Sequence, residues 1–218
     1  MTGAPRNRAW VAVGIVLSAA FALFAHAAIV EGVPPRVGAA LSLVPVALLL
    51  AWAMRRTPRR GLVAIAIAAA AVALALGWRA LEQHFTDLLF IEHAGVNLGF
   101  GVLFGRTLLA GREPLCTSFA RLVHGHLTAQ HERYSRGVTI AWTAFFATIF
   151  TASCALYLTE QRAAWSLLAN FVAPALVVAM FVVEYAVRLR MLPDQPPIGV
   201  LGGLRAFTRH FAHVESPR

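Results

Sequence analysis

The chain contains no lysine and little negative charge: all nineteen basic residues are arginine, set against ten aspartates and glutamates in 218 residues. Charged residues make up only 13% of the total while 59% are hydrophobic. That balance leaves too little polar surface for a soluble domain of this length to enclose its apolar runs in one core. The two cysteines, Cys116 and Cys154, lack both CxxC spacing and neighbouring ligands, so no zinc or other metal site, redox pair or disulfide is expected. Also missing are a GxxxxGK[ST] phosphate loop, a GxSxG elbow, an HExxH pair and an HxxxxD acyltransferase box, which lowers the expectation of an enzyme. No cofactor is expected. A net charge of +9 would suggest nucleic acid in a soluble protein, but here the arginines lie in short segments between apolar runs. They read as topology signals, with no nucleic-acid partner.

What the chain does have is long apolar runs. A helix needs about 20 apolar residues to cross the hydrocarbon core, and six such runs stand out, at about 9–30, 37–54, 61–78, 87–109, 138–158 and 164–187. The expected fold is therefore all-α: a polytopic membrane bundle over 1–192 with about six transmembrane helices, a cytoplasmic loop at 110–137 and a flexible basic tail at 193–218. No inverted repeat relates the two three-helix halves.

Sixteen of the nineteen arginines fall in alternate segments: the N-terminus, the turn Arg55-Arg56-Thr57-Pro58-Arg59-Arg60, the loop 110–137 together with Arg106 just before it, and the C-terminal segment. Arg36, Arg79 and Arg162 occupy the other three connections singly. Since positive charge is retained on the cytoplasmic side, both termini are expected there. Ala25-His26-Ala27 resembles a small-x-small signal-peptidase site, but the apolar run continues through Ile29 and Val30 and exceeds the usual length, so the first helix is expected to be retained.

Polar residues inside a bilayer are costly and are functional candidates by default. The fourth run is richest, with Asp87, Glu92, His93, Asn97 and Arg106. Glu92, His93 and Asn97 are the candidates for a substrate path. Against that, Glu92 and His93 lie only about 8 Å from the helix start at ~1.5 Å per residue, where packing or interfacial roles suffice, and Asn97 has a simple alternative in an interhelical hydrogen bond. Gly95, Gly99, Gly101 and Gly105 form overlapping small-xxx-small patterns of the kind that let helices approach closely. In the sixth run, Glu184 is placed to pair with Arg188 at i,i+4, and Asn170 with Pro174 predicts a kink. His26 reads as interfacial and His84 as solvated.

In the loop 110–137, Leu115, Phe119, Leu122 and Val123 recur at helical spacing against Arg121, His124 and His126, as in a helix lying on a membrane surface. Arg112, Arg121, Arg133, Tyr134 and Arg136 are its candidates for contact with the bilayer or a partner. The spacing of His124, His126 and His131 matches no zinc pattern.

The segment Phe104-Gly105-Arg106-Thr107-Leu108-Leu109, followed by Gly111-Arg112-Glu113-Pro114-Leu115-Cys116-Thr117 and Phe119-Ala120-Arg121, continues through His131-Glu132-Arg133-Tyr134-Ser135-Arg136 into Val138-Thr139-Ile140-Ala141-Trp142. It resembles a family of small bacterial inner-membrane proteins, without assigned biochemical function, encoded among genes for aryl polyene or xanthomonadin-type pigment lipids. The resemblance covers roughly 87–190, and the first three helices match only in being apolar. It implies a setting of polyene-lipid assembly or export, with pigment or lipid biosynthesis proteins as partners beside the bilayer itself, and carries over no catalytic residue.

Three functions stay open on sequence alone. A transport or accessory component would depend on Glu92 or Asn97; a membrane anchor recruiting biosynthetic enzymes would depend on the loop arginines and Tyr134; a membrane-embedded transferase would depend on His124, His126 or Glu113.

Overall fold

A computed structural model of the chain describes residues 4–56 and 60–192. It is helical throughout, with no strand among those residues. The order is α1 (Ala4–Val30), α2 (Pro35–Ser42), α3 (Val44–Arg56), α4 (Arg60–Gly105), a 3-10 turn (Arg106–Leu108), α5 (Leu115–His124), α6 (Ala129–Leu158), α7 (Arg162–Leu167), a π turn (Leu168–Val172) and α8 (Ala173–Met191). Among the described residues three stretches are long and apolar enough to cross a membrane: Gly61–Leu108, Ala129–Leu158 and Arg162–Met191. The centre of the turn at 57–59 and the tail at 193–218 lie outside the described residues.

The helix boundaries differ from the expected ones at three places, each for a local reason, and a fourth irregularity falls where a kink was expected. The second run is two helices, because Pro45 lacks the N–H a continuous helix would use and disfavours helical geometry just before it. The chain tightens there, with Leu43 N donating to Ala40 O at 3.3 Å and Ser42 Oγ to Ala39 O at 2.9 Å. The connection expected between the third and fourth runs is helical instead. Arg79, Ala80, Leu81, Glu82 and Gln83 are good helix formers with no glycine or proline among them, and only His84 departs from helical geometry, at φ −120°, ψ 19°. The loop 110–137 is shorter than expected because α6 starts at Ala129, which puts Arg133, Tyr134 and Arg136 on its first two turns. In the sixth run, Asn170 sits inside the π turn just before Pro174. A widened turn accommodates a proline that would otherwise clash with, and leave unpaired, the carbonyl four residues earlier.

Contacts divide the chain into two compact units, Met1–His93 with Ser153–Pro174, and Ala94–Ala152 with Ala175–Arg218. In the first, α1 packs on α2, α7 and the π turn, and α2 on α3. Its core is Leu89, Tyr157 and Trp165, with Ile29, Phe85, Phe90, Leu156 and Ala169 against it. Gly38 of α2 makes the closest backbone approach: a Cβ there would lie 2.7 Å from the Phe85 ring. The stretch of α4 before the His84 kink stands apart from this core, and Leu62, Ile65, Val72 and Leu76 are all more than 60% exposed. In the second unit, α4, α6 and α8 meet through aromatic rings, with Trp142 only 6% exposed and lying 4.9 Å from Phe181, 5.5 Å from Phe146 and 6.3 Å from Phe104 between centroids.

Candidate functional site

The second unit carries a platform made of α5 and the start of α6. Pro114 precedes α5 and has no side-chain hydrogen bond to cap it, so the unpaired N–H groups of the first turn need outside acceptors. They find threonine hydroxyls: Leu115 N donates to Thr107 Oγ1 at 3.0 Å, and Cys116 N to Thr139 Oγ1 at 3.2 Å. Thr117 Oγ1 and Ser135 Oγ lie 2.7 Å apart, both buried. Ser135 directs its own proton to His131 O at 2.8 Å, so Thr117 is the donor of that pair. Ser135, Thr139 and Thr143 recur at i,i+4 on α6, and each bonds back to its own helix as well. This ladder of hydroxyls fastens α5 to α6, and Gly125, at φ 74°, ends α5 in a conformation other residues rarely adopt.

On the outer side of the platform, Arg121 spans two carboxylates: its Nε donates to Glu113 Oε1 at 2.7 Å and its Nη2 to Glu132 Oε1 at 2.8 Å. Those two hydrogen bonds, Glu113 first, hold the Arg121 guanidinium above its ordinary pKa. Glu113, Pro114, Thr117, Arg121, Ala129, Glu132, Arg133 and Arg136 line an open cleft of about 400 Å³. Arg133 spends its Nε on Ala129 O at 3.3 Å, while the Arg136 side chain makes no hydrogen bond or ion pair among the described residues. Arg112 is exposed and lies outside the cleft lining. Tyr134, expected to contact the membrane surface or a partner, faces α8 instead, its hydroxyl donating to Glu184 O at 3.0 Å and lying 3.1 Å from Glu184 Oε1. Glu184 also pairs with Arg188 at 3.9 Å. Burial pushes the Cys116 thiol above its ordinary pKa, so it is neutral at neutral pH.

The intramembrane candidates are split between the units. Glu92 and His93 belong to the first, and Asn97, which is buried, to the second. Glu92 Oε1 is buried with no hydrogen-bond partner among the described residues. The His93 ring stands edge-on to Trp165 at 6.4 Å between centroids. Trp165, 1% exposed, donates from Nε1 to Ser153 Oγ at 2.9 Å. His26 is tied to Ser166 Oγ at 2.9 Å, and Asn170 Nδ2 donates to Ser166 O at 3.0 Å. Tyr157 donates its hydroxyl to Asp87 and lies under the Arg162 guanidinium, 3.5 Å from its ring centroid. His84 Nδ1 lies 2.9 Å from Asp87 Oδ2.

Of the four glycines expected to pack helices, Gly105 has Thr143 Cγ2 3.2 Å from where a Cβ would stand and Gly101 has Phe146 Cβ at 3.6 Å. Gly95 and Gly99 meet nothing within 4 Å. Of the histidines considered for transfer chemistry, His126 does not line the cleft that holds Glu113, and the His124 side chain lies outside the described residues; His131 does not line the cleft either. No group of three or more His, Cys, Asp or Glu side chains is close enough to hold a metal among the described residues. Thr117, Ser135, Thr139, Ser153 and Ser166 were missed from sequence, although the i,i+4 hydroxyl repeat of α6 was there to be read.

Over the described residues the chain is thus all-helical, with three helices long and apolar enough to cross a membrane and a polar platform at α5 and α6. No protein-family model, curated protein or solved structure matches it.

Proposed function

We propose that this is a multi-pass inner-membrane protein with about six crossings and both termini in the cytoplasm. Its role is accessory to the assembly or export of a hydrophobic, polyene-lipid-like product, and it acts through the α5–α6 platform as a contact surface for the bilayer and for biosynthetic partners. The observation that carries the proposal is the construction of the platform: buried hydroxyls fix α5 in place, Arg121 absorbs both nearby carboxylates, and the remaining arginines stay presented. A transferase finds less support, since neither His126 nor His131 lines the cleft that holds Glu113.

Six crossings require α4 to serve as two. Its 46 residues rise on the order of 70 Å at 1.5 Å each, more than twice a hydrocarbon core of about 30 Å. The polar stretch from Arg79 to Asp87 around the His84 kink divides it into halves of crossing length. In a background with Cys116 and Cys154 replaced by serine, Gln83→Cys then reacts with an impermeant maleimide from outside, and Ala110→Cys only after permeabilisation; equal shielding of both rejects the arrangement.

The functional test is deletion in the native host with complementation, reading pigment lipid in inner and outer membrane fractions. Failure of Arg133→Gln/Arg136→Gln to restore product, at normal protein level, supports the platform. Unchanged lipid in both fractions after deletion rejects the pigment-lipid role. A second reading, an intramembrane handover path, is favoured by the unpartnered Glu92 Oε1. It predicts that Glu92→Gln traps intermediate in the inner membrane while the arginine variant complements.

A further inference from the structure

The cleft between α5 and α6 has a charge arrangement that selects a ligand. Its lining holds three arginines and two glutamates, a net charge of +1. Arg121 is engaged by both glutamates, which leaves those three groups one negative charge in excess, and the positive charge of the cleft belongs to Arg133 and Arg136. These two residues are three apart on α6 and share a face; both are exposed. Two guanidinium groups on one helix face at an open cleft offer N–H donors of the kind that bind a phosphate oxyanion.

Depth narrows the source. The apolar run of α6 begins at Val138, so Arg136 lies about 3 Å and Arg133 about 7.5 Å beyond it at 1.5 Å per residue. The headgroup layer on each side of a bilayer is roughly 5–7 Å thick. Leu109 and Phe119, in the flanking segments, are 61% and 40% exposed, apolar groups suited to the acyl boundary beside the cleft.

We propose that this cleft is a binding site for a phosphate-bearing lipid headgroup, held by Arg133 and Arg136, with Arg121 in a positioning role that keeps Glu113 and Glu132 from repelling it. The depth argument rests on the membrane reading above, whereas the binding test passes through no pigment lipid. A cleft that binds while the host's lipid is unaffected rejects only the accessory role, and loss of product with a cleft that binds nothing rejects only this site.

The test is titration of the full chain, in an uncharged maltoside micelle, with dihexanoyl phosphatidylglycerol and separately with inorganic phosphate, followed by calorimetry. Wild type is expected to bind the lipid saturably at one site. Arg133→Gln/Arg136→Gln is expected to weaken binding at least about tenfold, as loss of one or more charge-assisted hydrogen bonds implies. Arg121→Gln, which frees two carboxylates, is expected to weaken it as well, and Arg112→Gln, outside the cleft, to change it less than about twofold. Thermal melts of the same samples confirm that each variant is folded. Inorganic phosphate binding as tightly as the lipid, with the same dependence on Arg133 and Arg136, supports the oxyanion site and reassigns its source to a soluble phosphate. No saturable binding of either probe, or a loss with Arg112→Gln equal to that of the double variant, overturns the proposal.

Discussion

The Trp165 cluster of the first unit and the α5–α6 platform of the second both place polar groups beside apolar surface, and they do so with opposite results. Around Trp165 the polar atoms are spent on neighbours: the indole on Ser153, His26 on Ser166, Asn170 on Ser166, Tyr157 on Asp87. All but the local Asn170–Ser166 bond join segments distant in the chain, and little is left over except Glu92 Oε1 and Arg162 Nη1. On the platform the buried hydroxyls do the fastening and the charges are left in excess. A polar group consumed by its neighbour supports the fold; one left with free donors at an open cleft is available to a ligand. That contrast is what favours α5 and α6 as the proposed contact surface.

If the contrast is right, the largest loss of stability comes from the first cluster. Trp165→Ala removes a side chain that is 1% exposed and meets Phe90, Tyr157 and His93 by ring contacts. The expected cost is about 3 kcal/mol or more, from lost packing and the cavity left behind, seen as a large drop in the detergent melting temperature. Trp165→Phe keeps most of the packing and loses the Ser153 hydrogen bond, for about 1 kcal/mol. Equal losses for the two variants would mean that the hydrogen bond, not the ring, holds the cluster.

Next is Gly38→Ala. The added methyl falls 2.7 Å from the Phe85 ring, and Phe85 is itself packed against the Leu89–Tyr157–Trp165 core, so the ring has little room to move. Overpacking of this kind costs about 1–3 kcal/mol. Phe85→Leu in the same chain should recover part of it, and a double-mutant cycle with no coupling would show that the two residues do not press on each other.

Gly38 also marks where sequence reading ran out. The three long apolar helices, the Glu184–Arg188 pair and the distortion near Pro174 were legible because each depends on residues close together in the chain. Gly38 was passed over, and Gly95 and Gly99 singled out, because what makes a glycine necessary is a neighbour that arrives from a distant segment. Periodicity contains no record of that neighbour. The boundaries failed for a different reason. Charge was taken to end a helix at 79–86 and to keep 129–137 in a loop, yet arginine, glutamate and glutamine are good helix formers. Charge reports where a helix leaves an apolar setting and says little about where it stops. At the platform, the arginines were legible by type, but Tyr134 was assigned outward although Glu184 holds it against α8.

The platform's own fastening is of middle size. Thr139→Val keeps the shape of the side chain and leaves the Cys116 N–H without its acceptor, at an expected cost of about 1–2 kcal/mol. The thiol gives a sensitive readout. Because burial raises its pKa, the neutral form dominates below pH 8 and alkylation by iodoacetamide is slow in the wild-type chain. Thr139→Val also removes the Thr139 contact that lowers this pKa, so a faster reaction, most visible between about pH 8 and 9 where an ordinary cysteine ionises, reports that α5 has loosened and the thiol has become exposed. A rate unchanged from wild type would mean that Thr117 and Ser135 alone keep α5 seated.

The smallest effect is expected where the sequence pattern looked strongest. Gly95→Ala and Gly99→Ala place a methyl in open space, and alanine is the better helix former by up to about 1 kcal/mol, so neither should lower the melting temperature. Gly105→Ala, on the same helix, sets its methyl 3.2 Å from Thr143 Cγ2 and should be mildly destabilising or neutral according to whether Thr143 can give way. Thr143 is held by its own hydrogen bond to Thr139 O at 2.8 Å, which ties its side chain to the hydroxyl ladder and limits that movement. Gly105→Ala should therefore fall below Gly95→Ala and Gly99→Ala in the same melt, and Thr143→Ala should erase the difference. If Gly95→Ala proves the most damaging of the three, the open face of α4 is occupied in the membrane by a partner helix, and the small-residue pattern serves association between chains instead of packing within one.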